Sequence, residues 1–474
     1  MLADRDLRRM APVLADGTAL DELIDDERRT VALRVLTDPQ VYELELKRIF
    51  ARAWVAVAHE SEIPNVGDYV TRYIGEDPVI VSRAEDGQIH ILLNVCSHRG
   101  MQVCRADIGN AKTFRCPYHG WVYNRSGGLL GVPAEKEMYG ESLDKSSFGL
   151  LEARAGTCAG MVFGSFDEAA PSLDEYLGEI KWYLESAFCR SDGGLEVVGP
   201  PQRWTVHANW KLAAEQFAGD GYHALTLHRS MIEMGFFGDT NVDPRSLGLF
   251  GVNITTDGHG IRCLDLTEMW KTILGSADGN GDVPRPPAAK FGIMPPPGMT
   301  PQLAEQIGRH LSPSQQSLLA DFPPVVGNIF PNLGFLNLQL TTTPDGQPGS
   351  VITWRIWQPR GAGETEVMSW ALVEHDAPPE VKERTRRVAI LTFSDSGIFE
   401  QDDAEGWTGI QKAVGGVVAQ RRTLNYQALT GERRDPSWEG GGLVQRGFSR
   451  DDNQWRFWGR WLELLTDGGA HGAD

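Results

Sequence analysis

Two short segments of this chain each carry one cysteine and one histidine: Cys96-x-His98 and, seventeen residues further on, Cys116-x-x-His119. Two thiolates and two imidazoles at this spacing point to a metal centre held between two hairpin-like loops, so the surrounding residues must fold as a scaffold that brings two loop tips together. A structural zinc accepts a Cys2His2 set. The order within the loops favours another reading. The cysteine comes first in both, so the two thiolates can hold one iron of a [2Fe–2S] cluster and the two imidazoles the other. Replacing two anionic thiolates by neutral imidazoles raises a cluster's potential from roughly −400 mV to about −150 mV or above, within reach of an ordinary ferredoxin as donor. Six cysteines in 474 residues are too few for a disulfide scaffold. Cys104 falls outside the motif and reads as a buried neighbour. Cys158, Cys189 and Cys263 have no histidine at ligand spacing and are expected as buried packing.

A second constellation lies in NWKLAAEQFAGDGYHALTLHRS, residues 209–230. His223 and His228 are five apart, about 140° around a regular helix, so they meet at one metal only if the helix ends or bulges between them. A distant acidic run, FSDSGIFEQDDAEGW, offers Asp402 or Asp403 as the third member of a two-histidine, one-carboxylate set. Such a set leaves positions open for O2 and water. Gly219-x-Gly221-x-x-Ala224 formally matches a dinucleotide fingerprint, but no strand precedes it, so nicotinamide binding to this chain is rejected.

The first motif, C-x-H-R-G followed by C-P-Y-H-G-W, resembles the Rieske large (α) subunits of the bacterial aromatic-ring-hydroxylating dioxygenases, the family of the naphthalene, biphenyl and polycyclic-arene enzymes. Gly100, Pro117, Gly120 and Trp121 match. Residues 209–228 are similar to that family's NWK-x-x-x-E-N-F-x-G-D-x-Y-H-x-x-x-x-H, and residues 399–407 to its F-x-x-D-D-x-x-x-W. The resemblance implies a [2Fe–2S] Rieske cluster on Cys96, His98, Cys116 and His119, and a mononuclear non-haem Fe(II) on His223, His228 and Asp403, with Asp402 beside the site or on the surface. It implies that Asp220 hydrogen-bonds His223 and also reaches His119 of the partner subunit, as an electron bridge. Gln216 departs from the family's common Asn near the iron. Asp220 and Gln216 are therefore the candidate catalytic residues besides the ligands.

The family reaction is cis-dihydroxylation of an aromatic ring with both atoms of O2. The chain carries no flavin or nicotinamide motif, so electrons from NADH are expected to arrive through a reductase and a ferredoxin. Transfer between subunits implies a ring of three α subunits, and the dioxygenase branch implies an α3β3 hexamer with a small β subunit. Positions matching the family's pocket walls are Gln216, Phe217, Ala224, Leu227, Phe393 and Phe399. They are mostly apolar and suit a bicyclic or polycyclic hydrocarbon. The alternatives are a Rieske monooxygenase or demethylase, and a dioxygenase acting on an aromatic carboxylate.

Three regions are expected. Residues 1–50 form an N-terminal arm and a helix packing on the catalytic domain. Residues 51–166 carry short β-rich runs such as GDYVTRYI, DPVIVSRA and QIHILLNV, which predict a small antiparallel-β Rieske domain. Residues 167–474 mix helical and strand patterns and predict a larger α+β catalytic domain with a central antiparallel sheet flanked by helices. The Pro/Gly-rich stretch 275–300 is expected as a long loop. A net charge of −19 opposes nucleic-acid binding. With no membrane-spanning run and no secretory signal pattern, a cytoplasmic protein is expected.

Overall fold

Val79, Ile80 and Val81 are all fully buried, as a strand covered on both faces requires. The computed structural model describes residues 11–236, 251–278, 286–428, 431 and 437–466. Backbone contacts divide the chain into two units, Phe50–Tyr176 and a larger one made of Met1–Ile49 with Leu177–Asp474.

The smaller unit is an antiparallel β structure. Seven strands follow in chain order: β1 (Val55–His59), β2 (Asp68–Ile74), β3 (Asp77–Arg83), β4 (Ile89–Leu93), β5 (Ile108–Asn110), and, after the second loop, β9 (Glu152–Cys158) and β10 (Met161–Ser165). They pair in the order β1-β10-β9-β4-β3-β2-β5. Three short strands, β6 (Phe114–Arg115), β7 (Val122–Tyr123) and β8 (Leu129–Gly131), form a separate small sheet. Cys96 follows β4, and Cys116 sits between β6 and β7. Both loops therefore start from paired strands, which fixes where their tips fall.

The larger unit is built on an antiparallel sheet whose longest strands, Gly349–Gly361 and Glu364–Glu374, pair with each other toward one end of the strand order. Helix α1 (Trp210–Gly219) packs on the strands Pro324–Ile329 and His259–Cys263. Helix α2 (Pro379–Phe393) packs on the two long strands. Helix α3 (Glu400–Val414) carries the acidic run, and helix α4 (Asp452–Thr466) lies against α1. The antiparallel small unit and the α+β larger unit are the fold class that the strand and helix patterns predict.

The start of α1 is held by its own motif. The Asn209 side chain accepts the Lys211 N–H, an N-cap bond. The fully buried Glu45 accepts from Lys211 Nζ at 2.5 Å, Trp210 Nε1 at 2.9 Å and Trp461 Nε1 at 2.7 Å. One carboxylate thus ties the N-terminal segment to α1 and α4. The stretch 275–300 is not the expected continuous loop. It begins inside the helix Thr267–Asp278 and contains a second helix, Pro287–Ile293. Proline at the first turn costs a helix nothing, because that N–H has no partner there. Residues 279–285 of that stretch lie outside the described residues. Among the described residues no helix is long and apolar enough to cross a membrane.

Candidate redox and metal centres

The two Cys/His loops repeat one backbone design. The Cys96 N–H donates to the Met101 carbonyl at 2.8 Å and the Gly100 N–H to the Cys96 carbonyl at 2.9 Å. In the second loop the Cys116 N–H donates to the Trp121 carbonyl at 2.8 Å and the Gly120 N–H to the Cys116 carbonyl at 3.0 Å. Gly100 and Gly120 both have φ +74°, a left-handed conformation that glycine adopts without strain. These glycines close each loop four residues after its cysteine.

The four side chains converge. Cys96 and Cys116 are buried, and the His98 and His119 rings lie 4.6 Å apart, edge to face. Trp121 stacks on His98 at 4.8 Å and 6°. The Tyr123 hydroxyl lies 3.1 Å from Cys96 Sγ and accepts the Ser97 N–H at 3.2 Å. Burial pushes the Cys116 thiol up, while the N–H groups of Tyr118 and His119, aimed at its sulfur, pull it back. His98 Nδ1 is buried without a hydrogen-bond partner, as a nitrogen reserved for a metal would be. The donor chemistry and this orphaned nitrogen fit a Cys2His2-held cluster.

The second centre is in the larger unit. Helix α1 ends at Gly219, and close packing requires glycine on both sides of Asp220. A Cβ at Gly219 would lie 2.9 Å from Asn453 Cβ, and one at Gly221 would lie 2.7 Å from the Phe448 carbonyl oxygen. The chain then makes a single 3-10 turn, His223–Leu225, before the helix Arg229–Glu233. This break brings His223 and His228 onto one point despite their five-residue spacing, with ring centres 5.1 Å apart. Asp403, in the first turn of α3, completes the group. His228 Nε2 is 3.2 Å and His223 Nε2 3.6 Å from Asp403 Oδ1. Among the described residues this is the group whose donor atoms lie within 4.8 Å of one another and could hold a metal ion. Two neutral imidazoles and one carboxylate suit Fe(II).

Each member has its own polar neighbour, although the buried His223 Nδ1 makes no hydrogen bond. Asp220 Oδ2 lies 3.3 Å from His223 Nδ1, and its other oxygen accepts the backbone N–H of Tyr222 at 2.9 Å and of His223 at 3.1 Å. Burial pushes the Asp220 carboxyl up, but His223 and the Arg262 guanidinium outweigh it and bring it down to about 2. Asp402 Oδ2 lies 3.3 Å from His228 Nδ1. The Gln216 amide donates to Asp403 Oδ1 at 2.8 Å, and its oxygen accepts Trp407 Nε1 at 2.6 Å. Arg262 donates to the backbone carbonyls of Asp220 and Gln216 at 2.7 and 3.2 Å, closing the frayed end of α1.

Of the other expected pocket positions, Phe399 stands edge-on to His228 at 5.2 Å and stacks on Phe393 at 4.9 Å. Phe217 packs on Trp357. Trp407 stands in the acidic motif, where the sequence alone assigns it no role. Arg262 carries no local signal, because only the sheet brings it beneath α1.

Comparison with known proteins agrees with this layout. Residues 53–147 match the Rieske [2Fe-2S] domain family, and residues 173–433 match the family described as ring hydroxylating alpha subunit (catalytic domain). The chain is 38% identical over 423 residues to the biphenyl dioxygenase subunit alpha of Metapseudomonas furukawaii, covering 86% of this chain and 85% of that one. It is 35% identical over 464 residues to the N,N-dimethyl phenylurea N-demethylase subunit alpha of Sphingobium sp., covering 95% and 96%. Among solved structures, naphthalene 1,2-dioxygenase from Rhodococcus sp. bound to indole superposes with a TM-score of 0.81 at 42% identity, covering 93% of this chain and 95% of that one.

Proposed function

This chain belongs to the ring-hydroxylating alpha-subunit family and carries its Rieske [2Fe–2S] domain; on that premise we propose that it is the terminal oxygenase that cis-dihydroxylates a bicyclic or polycyclic aromatic hydrocarbon. The observation that carries the proposal is the His223, His228, Asp403 group, with His228 and Asp403 buried and a separate polar neighbour for each member. In this reading residues 51–166 carry the cluster on Cys96, His98, Cys116 and His119, and residues 167–474 carry the iron. The iron, when bound, supplies open positions for activating O2.

The chain's own residues do the rest. Asp402 and Asp220 fix the tautomers of His228 and His223, so that both Nε2 atoms face Asp403. Gln216 holds the Asp403 carboxylate by Oδ1, the same oxygen that faces the two imidazoles. Phe399, with Phe393 behind it, excludes water from one flank of His228. Asp220 also links His223 to His119 of the partner subunit, so the electron path crosses between chains. That path requires a closed trimer of this subunit, which we place in an α3β3 assembly fed by NADH through a reductase and a ferredoxin.

The likeness to a demethylase subunit, at 35% identity over nearly the whole chain, supports a second reading, in which one oxygen atom enters the product. Turnover of naphthalene and biphenyl under isotopically labelled O2, with reductase and ferredoxin supplied, separates them. A cis-dihydrodiol labelled at both oxygens is expected. A singly labelled alcohol, or activity confined to N-methyl substrates, would refute dihydroxylation. For the bridge, Asp220→Ala should keep the reduced-cluster spectrum and lose turnover, and retained turnover would refute its role.

A further inference from the structure

Arg355, on the long strand Gly349–Gly361, and Glu400, the first residue of α3, are both completely buried and form an ion pair with Nη1 2.5 Å from Oε2. Arg355 Nη2 also donates to the Phe393 carbonyl at 2.6 Å. The guanidinium carbon lies 5.5 Å from the Phe217 ring centre and 5.4 Å from that of Phe393. The Phe393 ring leads to the metal group, since it stacks on Phe399, which contacts His228; Phe217 is the second of the expected pocket-wall positions that the guanidinium faces. A permanent cation therefore sits directly behind two aromatic walls of the site, cancelled by a single carboxylate. An arginine stays charged in any protein environment, so the net charge behind those walls depends on Glu400.

We propose that Glu400 sets the charge selectivity of the substrate pocket: by cancelling Arg355 it keeps the pocket neutral and disfavours aromatic carboxylates, and without its charge the pocket accepts them. This rests on the reading of Phe217 and Phe393 as pocket walls. With one ring between them, a ligand stacked on either ring lies about 8 to 9 Å from the guanidinium carbon. In a partly desolvated site, a unit charge at about 8 Å changes the affinity for an anion by on the order of tenfold or more. A buried cation deprived of its partner also has strong reason to recruit another anion. The pair retains spare capacity for this, since Arg355 Nε has no hydrogen-bond partner among the described residues.

The test compares dissociation constants for naphthalene and 2-naphthoate by calorimetry on the iron-loaded protein. It is run near pH 8, above the value of about 7 to which burial raises Glu400. Wild type should prefer naphthalene. Glu400→Gln should shift the ratio of the two constants at least tenfold toward 2-naphthoate, and Arg355→Gln/Glu400→Gln should return it to the wild-type value. An unchanged ratio in Glu400→Gln, or the same shift in the double variant, overturns the proposal. If Glu400→Gln does not accumulate folded, Glu400→Ala supplied with formate serves instead: formate should raise its melting temperature and compete with 2-naphthoate, and no effect of formate overturns the proposal. Failure of wild type to oxidise any arene would count against the oxygenase reading itself, whereas the binding ratios test Glu400 alone.

Discussion

Glu215 offers a stability prediction whose sign and size follow from its surroundings. It lies on α1 beside Gln216, is only 8% exposed, and accepts from the Tyr426 hydroxyl and from Trp458 Nε1 at 2.9 Å. Burial pushes its carboxyl from 4.5 up to about 8, against the pull of those two donors, and the nearby Asp220 and Asp451 push it further. The folded state therefore holds this proton more tightly than the unfolded chain. Its contribution to stability is complete below the unfolded value and is lost as pH rises through the folded one. Each pH unit separating the two values is worth about 1.4 kcal/mol, so the loss approaches roughly 5 kcal/mol between about pH 4.5 and pH 8. Glutamine at 215 keeps an oxygen for Tyr426 and Trp458 but does not titrate. Denaturant unfolding followed by tryptophan fluorescence, for wild type and Glu215→Gln across that range, should give a difference in stability that changes by about 1.4 kcal/mol per pH unit. Parallel pH profiles would refute the reasoning.

The remaining predictions concern other buried polar groups. His59 is fully buried in β1 and burial lowers its imidazole to about 4, so it adds stability above the unfolded value near 6.5 that is lost as pH falls toward 4. His59→Gln should flatten the acid bleaching of the cluster's visible absorption by an amount worth about 3 kcal/mol, and unchanged bleaching would count against it. Lys211→Met strands the Glu45 carboxylate with only two indole donors and should cost about 3 to 5 kcal/mol of unfolding free energy; a loss below about 1 kcal/mol would refute the buried pair's role in tying these segments together. Asp402→Ala removes the acceptor that orients His228 and should weaken iron retention against a chelator by about 10- to 100-fold, read by metal analysis. The purified wild type should carry about three irons per chain, two in the cluster and one mononuclear; zinc in their place would end the iron assignment.

Much of both centres is legible in the sequence because ligands cluster in short motifs. The loops around Cys96 and Cys116 are each closed within five residues by local bonds, so spacing alone nearly fixes them. The five-residue gap between His223 and His228 demands a broken helix, and Gly219 and Gly221 flank Asp220 just before it. What forces those positions to be glycine, Phe448 and Asn453, lies more than 200 residues away and gives no local sign. Asp402 could be read as surface because an acidic helix start usually is; its contact with His228 depends on how α3 packs. Arg262, Arg355 and Glu45 are illegible for the same reason. Their partners are set by sheet order, not by neighbours in the chain. The stretch 275–300 shows the converse: prolines that mark a loop by composition also occupy the first turns of helices.

Gln216 is where departure from the resembled family meets observed geometry. Its amide can be oriented in only one way, since the NH2 faces a carboxylate and the oxygen faces an indole N–H. Held at both ends, it spans from Asp403 to Trp407. Asparagine is shorter by one methylene, about 1.5 Å, so from the same backbone it cannot make bonds of 2.8 and 2.6 Å at once. Gln216→Asn should therefore release one partner. Losing the indole bond would leave Trp407 Nε1 buried and unpaired at a cost of about 1 to 3 kcal/mol, with a shift in Trp407 emission. Losing the carboxylate bond would free Asp403 to rotate and would appear as faster iron loss with Trp407 unchanged. A variant that keeps wild-type iron retention, stability and tryptophan emission would show that the span between Asp403 and Trp407 does not hold the carboxylate in place.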